Sequence, residues 1–211
     1  MQKRHRPYDL VKRCLDLVVA SLALVLLSPV MLATGIAVAY HHGKPVFFRQ
    51  ERPGVNGKVF TLYKFRSMHD IDPSKGLVTP AERITKFGSA LRASSLDELP
   101  SLVNVIRGDM SIVGPRPLLV KYLELYTPQQ ARRHDVRPGI TGLSQVSGRN
   151  GLNWTKRLVL DVVYVRKRSF LLDLCIIART IRTVAAQEGI SEAGQVSVRE
   201  FTGNRENGLR G

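Results

Sequence analysis

The sequence predicts an α+β protein that is mostly helical, with an N-terminal membrane helix, one small β-hairpin and amphipathic interfacial helices. Three observations predict this fold: an uncharged apolar run from Leu17 to Tyr40, two β-rich runs between residues 46 and 65, and helical spacing of apolar residues from Leu99 onward. The chain has 211 residues, the size of one catalytic unit with a core of its own.

The composition predicts partners that carry negative charge. The chain has 32 Lys and Arg residues against 17 Asp and Glu residues, a formal net charge of +15. Such a charge attracts polyanions, a class that includes nucleic acid, anionic lipid and phosphorylated small molecules. Cys14 and Cys175 have no other Cys or His nearby at ligand spacing, so neither a disulfide framework nor a zinc site is expected, as in a reducing compartment.

The apolar run is long enough to cross a bilayer. As a straight helix from Leu17 to Tyr40 it would extend for about 36 Å, against a hydrocarbon core about 30 Å thick. It is too long for the h-region of a cleaved signal peptide. In its middle, Pro29 removes a backbone N–H and its ring clashes with the carbonyl of Val25, so Ser28-Pro29 is predicted to bend the helix.

Two topologies fit a bent helix with basic residues on both sides. Because Lys12 and Arg13 precede the run and Lys44 and Arg49 follow it, the positive-inside rule favours both ends on the cytoplasmic side. A re-entrant helix satisfies this distribution, whereas a proline-kinked spanning helix must place one basic cluster outside. The predicted regions are a re-entrant membrane helix region at 1–40, a catalytic domain at 41–187 and a polar C-terminal tail at 188–211.

The chain beyond the membrane region is predicted to form a hairpin followed by helices. The runs 46–50 and 59–65 flank a turn with two glycines, which predicts two antiparallel strands, and residues 69–80 predict a polar loop. The segment 166–182 fits an amphipathic helix at the lipid interface or a core helix with a solvated basic face. The tail is expected to be loosely ordered. Helical spacing recurs at 99–106, 118–126 and 158–165.

Asp97 and Glu98 are adjacent carboxylates that precede an apolar helical stretch. The pattern Ser95-x-x-Glu98 fits a capping box, in which the acids would only begin a helix. Pro100 argues against this, because it lacks a backbone donor and biases Leu99 out of the helical region. The acids are therefore predicted to lie exposed on a turn before a helix that begins near Pro100, close to N–H groups that keep a carboxylate ionised.

Cations that accompany these acids suggest a phosphate site. Arg116 stands between two prolines, which pre-orient a guanidinium suited to phosphate. Lys64 lies in the second strand, and the loop 137–142 begins with Arg137 and has glycines that let backbone N–H groups approach an anion. Carboxylates in such a site can hold a bridging Mg²⁺ or attack phosphorus directly, and the residues alone do not choose between these roles.

Three long motifs in one order resemble the bacterial sugar transferases, the family of monotopic polyprenol-phosphate phosphoglycosyl transferases. The motifs are YKFRSM at 63–68, LRASSLDELPSLVNVIRGDMSIVGPRPLL at 91–119 and RPGITGLSQVSGRN at 137–150. The resemblance extends to about Thr180, and the length fits the small form of the family. It implies that Ser28 and Pro29 form the membrane break of a re-entrant helix.

The resemblance implies a two-step transfer with Asp97 as nucleophile and Glu98 as its dyad partner. Asp97 would attack the β-phosphate of a UDP-sugar and release UMP, and the phosphosugar would then pass to polyprenyl (undecaprenyl) phosphate, which initiates glycoconjugate or polysaccharide biosynthesis. Mg²⁺ is the implied cofactor, held by Asp97 and phosphate oxygens. The phosphate-contact candidates are Arg116, Arg92, Arg137 and Lys64.

Asp161 matches a further acidic position of the family and is predicted to bind substrate. A cap or an ion pair with Arg157 is the structural alternative. The sequence departs from the family at Leu143-Ser144, where Trp-Ala is expected, and at Ser147, where Asn is common. These departures bear on substrate preference more than on reaction type.

The expected location is the bacterial inner membrane, with the catalytic domain on the cytoplasmic face. The expected partners are the UDP-sugar, the polyprenyl phosphate and anionic lipids, and no nucleic acid; the sequence specifies neither the sugar nor an oligomeric state. Two rival hypotheses are a membrane-bound hydrolase of nucleotide sugars or polyprenyl diphosphates that uses the same acids, and a membrane-anchored protein that binds polyanions without catalysis.

Overall fold

The computed structural model describes residues 7–148, 152–186 and 200–203, and these are mostly helical, as predicted. Two small sheets accompany the helices. The helices are α1 Pro7–Leu26, α2 Ser28–His42, α3 Pro80–Arg83, α4 Lys86–Ala93, α5 Leu102–Arg107, α6 Pro128–Ala131, α7 Leu143–Val146, α8 Trp154–Lys167 and α9 Phe170–Ala185. The strands are β1 Phe47–Pro53, β2 Val59–Phe65, β3 Ser111–Val113 and β4 Gly139–Thr141.

The predicted hairpin is confirmed. Strands β1 and β2 are antiparallel, from the pair Phe47 and Phe65 to the pair Pro53 and Val59. A second sheet, in which β3 pairs with β4 in parallel, was not predicted. Each of its strands has only 3 residues, too few for a pattern of alternation.

The predicted break at Ser28-Pro29 is confirmed. The helix axis bends by 63° between α1 and α2. Pro29 lies at the start of α2, and the hydroxyl of Ser28 donates to the carbonyl of Val25 at 2.8 Å, the same carbonyl that the proline leaves without an intrahelical donor. Among the described helices no single one is both long and apolar enough to cross a membrane, whereas the bent pair together meets that criterion.

Polar contacts dock the first half of α1 on the rest of the chain. Lys12 forms an ion pair with Asp173 of α9 at 2.6 Å, and Asp16 accepts hydrogen bonds from the hydroxyl of Ser111 at 2.7 Å and from the backbone N–H of Ile112 at 3.1 Å. The uncharged part of the bent pair therefore begins after Asp16. Lys3, Arg4 and Arg6, the basic residues before α1, lie outside the described residues.

Side chains of the segment that carries the two acids fasten it to the edge of β2. Asn104 of α5 is fully buried; its amide group donates to the carbonyl of Thr61 at 2.8 Å and accepts from the N–H of Tyr63 at 3.1 Å. Ser101 donates to the carbonyl of Tyr63 at 2.8 Å. These bonds satisfy backbone groups of β2 on the edge where no neighbouring strand pairs with it in the described structure.

The C-terminal predictions hold in part. Most of the predicted helix at 166–182 is present as α9, which begins at Phe170, with Ile176 buried and Leu171 exposed; residues 166 and 167 belong to the end of α8. Residues 120–125 form a 3₁₀ helix instead of the predicted α-helix, in a segment bounded by Pro117 and Pro128. Phe201 is buried, so the expectation of a loose tail is wrong for residues 200–203; the other residues of 188–211 lie outside the described residues.

Replacement of Asn104 is expected to destabilise the fold. Asn104→Ala leaves the carbonyl of Thr61 and the N–H of Tyr63 without these partners and opens a small cavity, so the free energy of unfolding should fall by about 2–3 kcal/mol. Denaturant titration in detergent micelles measures this. Gln129→Ala, an exposed position on α6, is the control and should stay within about 0.5 kcal/mol of the wild type. Equal stability of both variants would contradict the proposed role of Asn104.

Candidate active site

The two acids lie in a 3₁₀ helix, Leu96–Ser101, that leads directly into α5. Ser95 turns the chain with a left-handed φ of 58°, and its side chain makes no cap, so the capping-box alternative is excluded. Leu96 and Leu99 pack against a cluster that includes Val38 and Phe65. This packing draws the acids against β2.

Both acids are less accessible than predicted. Asp97 is only 7% exposed and the side chain of Glu98 18% exposed, because the 3₁₀ helix packs on β2, α4 and α2. The prediction of exposed acids on a turn is therefore wrong. The helix that follows begins at Leu102, two residues after Pro100.

Glu98 is held between two cations. Its Oε1 accepts from the Nζ of Lys64 at 2.5 Å and from the Nη2 of Arg116 at 3.1 Å. Burial alone would raise the pKa of Glu98, but the charges of Lys64 and Arg116 and their hydrogen bonds lower it to about 2. Glu98 is therefore ionised and its charge is neutralised by its neighbours.

Asp97 has the opposite electrostatic balance. Burial raises the pKa of Asp97 to about 6; Glu98 acts in the same direction, and the cations Lys64, Arg92 and Arg116 oppose it. Within the described residues its carboxylate accepts no side-chain or backbone hydrogen bond and forms no ion pair. The expectation that N–H groups at a helix end hold both acids in the ionised form is therefore wrong for Asp97. Above pH 6 the carboxyl group of Asp97 is nevertheless mostly ionised.

Arg92 is near enough for its charge to act on Asp97 and is held by the strand motif at 63–68. Its Nε donates to the hydroxyl of Ser67 at 2.9 Å and its Nη2 contacts the sulfur of Met68 at 3.4 Å. The structure thus brings Arg92, Lys64 and Arg116 together around the two acids.

Asp161 is 1% exposed, and its hydrogen-bond partners in the described structure do not include Asp97 or Glu98. It pairs with Arg133 at 2.7 Å and accepts from the hydroxyl of Ser144 at 2.7 Å. In the described structure its carboxylate is thus engaged inside the fold, and its ion-pair partner is Arg133 instead of Arg157. Arg133 in turn donates to the backbone carbonyl of Arg116 at 2.6 Å. Asp161 therefore supports the site indirectly, through Arg133.

Arg137 does not join the two acids either. Its Nε donates to the carbonyl of Gly108 at 2.8 Å. The glycines of 137–142 serve packing: a Cβ at Gly139 would lie 2.1 Å from the backbone N of Gly114, and one at Gly142 would lie 2.1 Å from the carbonyl of Gly114. They allow the close approach of β4 to the end of β3, a role that sequence alone does not separate from anion binding.

A cavity of about 80 Å³ opens beside Glu98. It combines cationic side chains with an apolar floor that contains Leu62, Met110 and Ile140. Arg52 of β1 lines it together with Lys64 and Arg116, although the sequence showed Arg52 only as one of many basic residues near the membrane run.

The residues present fit a divalent ion that is shared with a substrate. No group of three acidic, His or Cys side chains in the described part of the chain is placed to hold a metal by itself. Asp97 has both oxygens uncommitted to other residues, and Mg²⁺ commonly takes one or two carboxylates together with substrate phosphate oxygens.

Comparison with known proteins identifies relatives. The family model described as bacterial sugar transferase matches residues 7–187. An uncharacterised sugar transferase of Bacillus subtilis, EpsL, is 52% identical over 92% of this chain and 97% of its own length. A UDP-glucose:undecaprenyl-phosphate glucose-1-phosphate transferase of Caulobacter vibrioides is 40% identical over 82% of this chain and 69% of its own length. The exopolysaccharide production protein ExoY of Sinorhizobium fredii is 40% identical over 84% of this chain and 87% of its own length.

The raised pKa of Asp97 predicts a stability cost at neutral pH. Its ordinary value of 3.8 rises to about 6 in the fold, so its contribution to stability is complete below pH 4 and is lost as the pH rises through 6. Asp97→Asn should therefore raise the free energy of unfolding at pH 7.5, by at most roughly 3 kcal/mol, and the gain should vanish near pH 4. Denaturant titration across this pH range measures it.

Glu98→Gln is the matched comparison, because the pKa of Glu98 is shifted in the opposite direction and its replacement should change stability in the opposite direction. The pKa of Glu98 falls from 4.5 to about 2, so its stabilising contribution is present above pH 4.5 and is lost as the pH falls toward 2. Glu98→Gln should lower stability at pH 7.5. A loss of stability in both variants at pH 7.5 would contradict the opposed electrostatics of the two acids.

Proposed function

The chain belongs to the bacterial sugar transferase family and is a transferase, and from this premise we propose that it moves a sugar 1-phosphate from a UDP-sugar to undecaprenyl phosphate and releases UMP. The observation that carries the proposal is the pair of acids in one cationic site, with Glu98 bound by Lys64 and Arg116 and Asp97 uncommitted. The relative from Caulobacter vibrioides is named for glucose 1-phosphate transfer to the same lipid, which makes UDP-glucose the first donor to test.

In the first step the ionised carboxylate of Asp97 attacks the β-phosphorus of the donor. A bond forms between its oxygen and phosphorus, and the bond from phosphorus to the bridging oxygen breaks, with its electron pair leaving on UMP. Asp97 suits this role because no other residue of the described chain holds its oxygens. Arg92, Lys64 and Arg116 lower the repulsion between the carboxylate and the anionic donor.

In the second step a phosphate oxygen of undecaprenyl phosphate attacks the same phosphorus. The bond to Asp97 breaks, the carboxylate is restored and the product is the undecaprenyl diphosphate sugar. Glu98 stays ionised between Lys64 and Arg116 throughout, so it is suited to position these cations and unsuited to act as a proton donor. Its role is therefore to set the geometry of the phosphate site.

We further propose Mg²⁺ as the cofactor. Asp97 is the residue that would hold it together with substrate phosphate oxygens, and the ion would supply charge neutralisation at the diphosphate. Glu98 contributes less to such a site, because Oε1 is already occupied by two cations.

The proposal also places α1 and α2 in the cytoplasmic leaflet of the bacterial inner membrane. Large apolar side chains near the bend are solvent-exposed in the isolated chain, among them Val25 at 71%, Leu26 at 74% and Leu32 at 68%. Apolar surface of this size, on a helix pair that is bent at its middle, supports a re-entrant element. The docked half of α1 and the end of α2 would then both lie on the cytoplasmic side.

Trapping the intermediate tests the reaction. Wild-type enzyme incubated with UDP-glucose and Mg²⁺ but no acceptor should release up to one equivalent of UMP and add a hexose phosphate to the peptide that contains Asp97, detected by mass spectrometry. Asp97→Asn should lose the adduct and more than about 10³-fold of the turnover rate. Chelation of Mg²⁺ with EDTA should stop both, and added Mg²⁺ should restore them.

Glu124→Gln is the control, because Glu124 is an exposed acid of the 3₁₀ helix at 120–125 that does not line the cavity, and it should retain turnover. Turnover without an adduct in the wild type, or full activity of Asp97→Asn, would refute the covalent mechanism. Sugar phosphate that appears only in the aqueous phase when undecaprenyl phosphate is present would support the rival hydrolase.

Cysteine labelling tests the re-entrant topology. In a background with Cys14→Ser and Cys175→Ser, single variants Leu10→Cys and Lys44→Cys lie before and after the bend at exposed positions. A membrane-impermeant maleimide should label neither in intact spheroplasts and both in inverted vesicles. Labelling of one of them from outside would show that the helix spans the membrane.

A further inference from the structure

Arg52 is a cation of the active-site cavity that has no acidic partner among the described residues. Its Nη1 donates to the carbonyl of Pro117 at 3.3 Å and its Nη2 to the side-chain oxygen of Gln50, both neutral acceptors. Its Nε is buried and has no hydrogen-bond partner in the described part of the chain. The two neutral contacts hold the guanidinium in place without neutralising it.

The surroundings of Arg52 make its charge costly. Burial and the nearby charge of Arg116 lower the pKa of Arg52 to about 10, and it remains protonated at neutral pH. In the described structure Arg52 forms no ion pair with a carboxylate, whereas the neighbouring Arg116 is paired with Glu98. A half-buried charge of this kind is stabilised when an anion binds to it.

The order of the cations along the cavity indicates which anion this is. Arg116 donates to Glu98, the chain neighbour of Asp97, at 3.1 Å, and Arg52 donates to the carbonyl of Pro117, the chain neighbour of Arg116, at 3.3 Å. Arg52, Arg116 and Glu98 line the same cavity. Arg52 therefore lies beyond Arg116 as seen from the nucleophile.

We propose that Arg52 binds the phosphate of the departing nucleotide, which is the α-phosphate of the donor. The inference rests on the proposed function, in which the β-phosphorus lies at Asp97. The α-phosphate is then the next anion along the cavity, beside Arg116 and Arg52. When the bond between the β-phosphorus and the bridging oxygen breaks, negative charge develops on this phosphate, and the pre-oriented guanidinium stabilises it.

The experiment compares UMP binding to the full-length wild type, Arg52→Gln and Arg49→Gln by calorimetry in detergent micelles. Arg49 lies on the same strand but is exposed and stacks on Tyr63 at 5.8 Å, so its replacement removes the same charge outside the cavity. A hydrogen bond to a charged group contributes about 1.5–3 kcal/mol, so Arg52→Gln should weaken UMP binding roughly 10- to 100-fold, and Arg49→Gln should leave it unchanged.

Steady-state kinetics provide the second measurement. Arg52→Gln should raise the KM for the UDP-sugar and the inhibition constant of UMP by similar factors, with the KM for undecaprenyl phosphate unchanged. Arg52→Lys keeps the positive charge but loses the planar guanidinium, so it should weaken UMP binding less than Arg52→Gln does. It replaces Arg52→Gln if that variant does not fold.

Wild-type affinity for UMP in Arg52→Gln, or in Arg52→Lys where only that variant folds, would overturn the inference. A rise confined to the KM for undecaprenyl phosphate would do the same, because it would place Arg52 at the acceptor. These outcomes are separate from failure of the proposed function, in which the wild type itself would release no UMP from any UDP-sugar.

Discussion

The ion pairs of Glu98 are the interaction on which the rest of the site depends. Two adjacent carboxylates on one short helix repel each other, and one of them must be neutralised before both can be buried. Lys64 and Arg116 neutralise Glu98, one from strand β2 and one from the segment after β3. Asp97 is left buried, close to cations and without a partner among the described residues, which is the state that the proposed nucleophile requires.

This arrangement holds because each cation is itself supported by backbone. Lys64 is fixed by the strand to which Asn104 and Ser101 fasten the acid-bearing segment. Arg116 stands between two prolines, and its backbone carbonyl accepts a hydrogen bond from Arg133, which is itself held by a buried ion pair with Asp161. Under the proposed function, the charge of Arg116 faces a diphosphate and is positioned by residues that take no part in the reaction.

Local features of the fold were predictable, and long-range contacts were not. The break at Ser28-Pro29 and the hairpin follow from the chemistry of proline, glycine and β-branched or aromatic residues within a few positions. The hydrogen bonds between Asn104 and strand β2 join residues that are far apart in sequence, and no periodic pattern predicts them. Asp97 and Glu98 could be picked out as adjacent acids among cations, but the role of Asp97 as nucleophile came only from the resemblance of whole motifs. Arg137 and the glycines after it were assigned to an anion because close backbone packing and anion binding require the same residue type.

The docking of α1 and α2 links the bent helix pair to the site. Arg13 donates to the carbonyls of Val105 and Ile106 at the end of α5, the helix that continues from the acids. Val38 of α2 belongs to the same hydrophobic cluster as Phe65, and Leu96 and Leu99 of the acid-bearing 3₁₀ helix pack against this cluster. Both arms of the bent pair therefore contact the acid-bearing segment. Under the proposed function, a phosphate anchored at the lipid surface meets the nucleophile at a fixed depth, because the bend that sets the depth and the helix that carries Asp97 are packed as one unit.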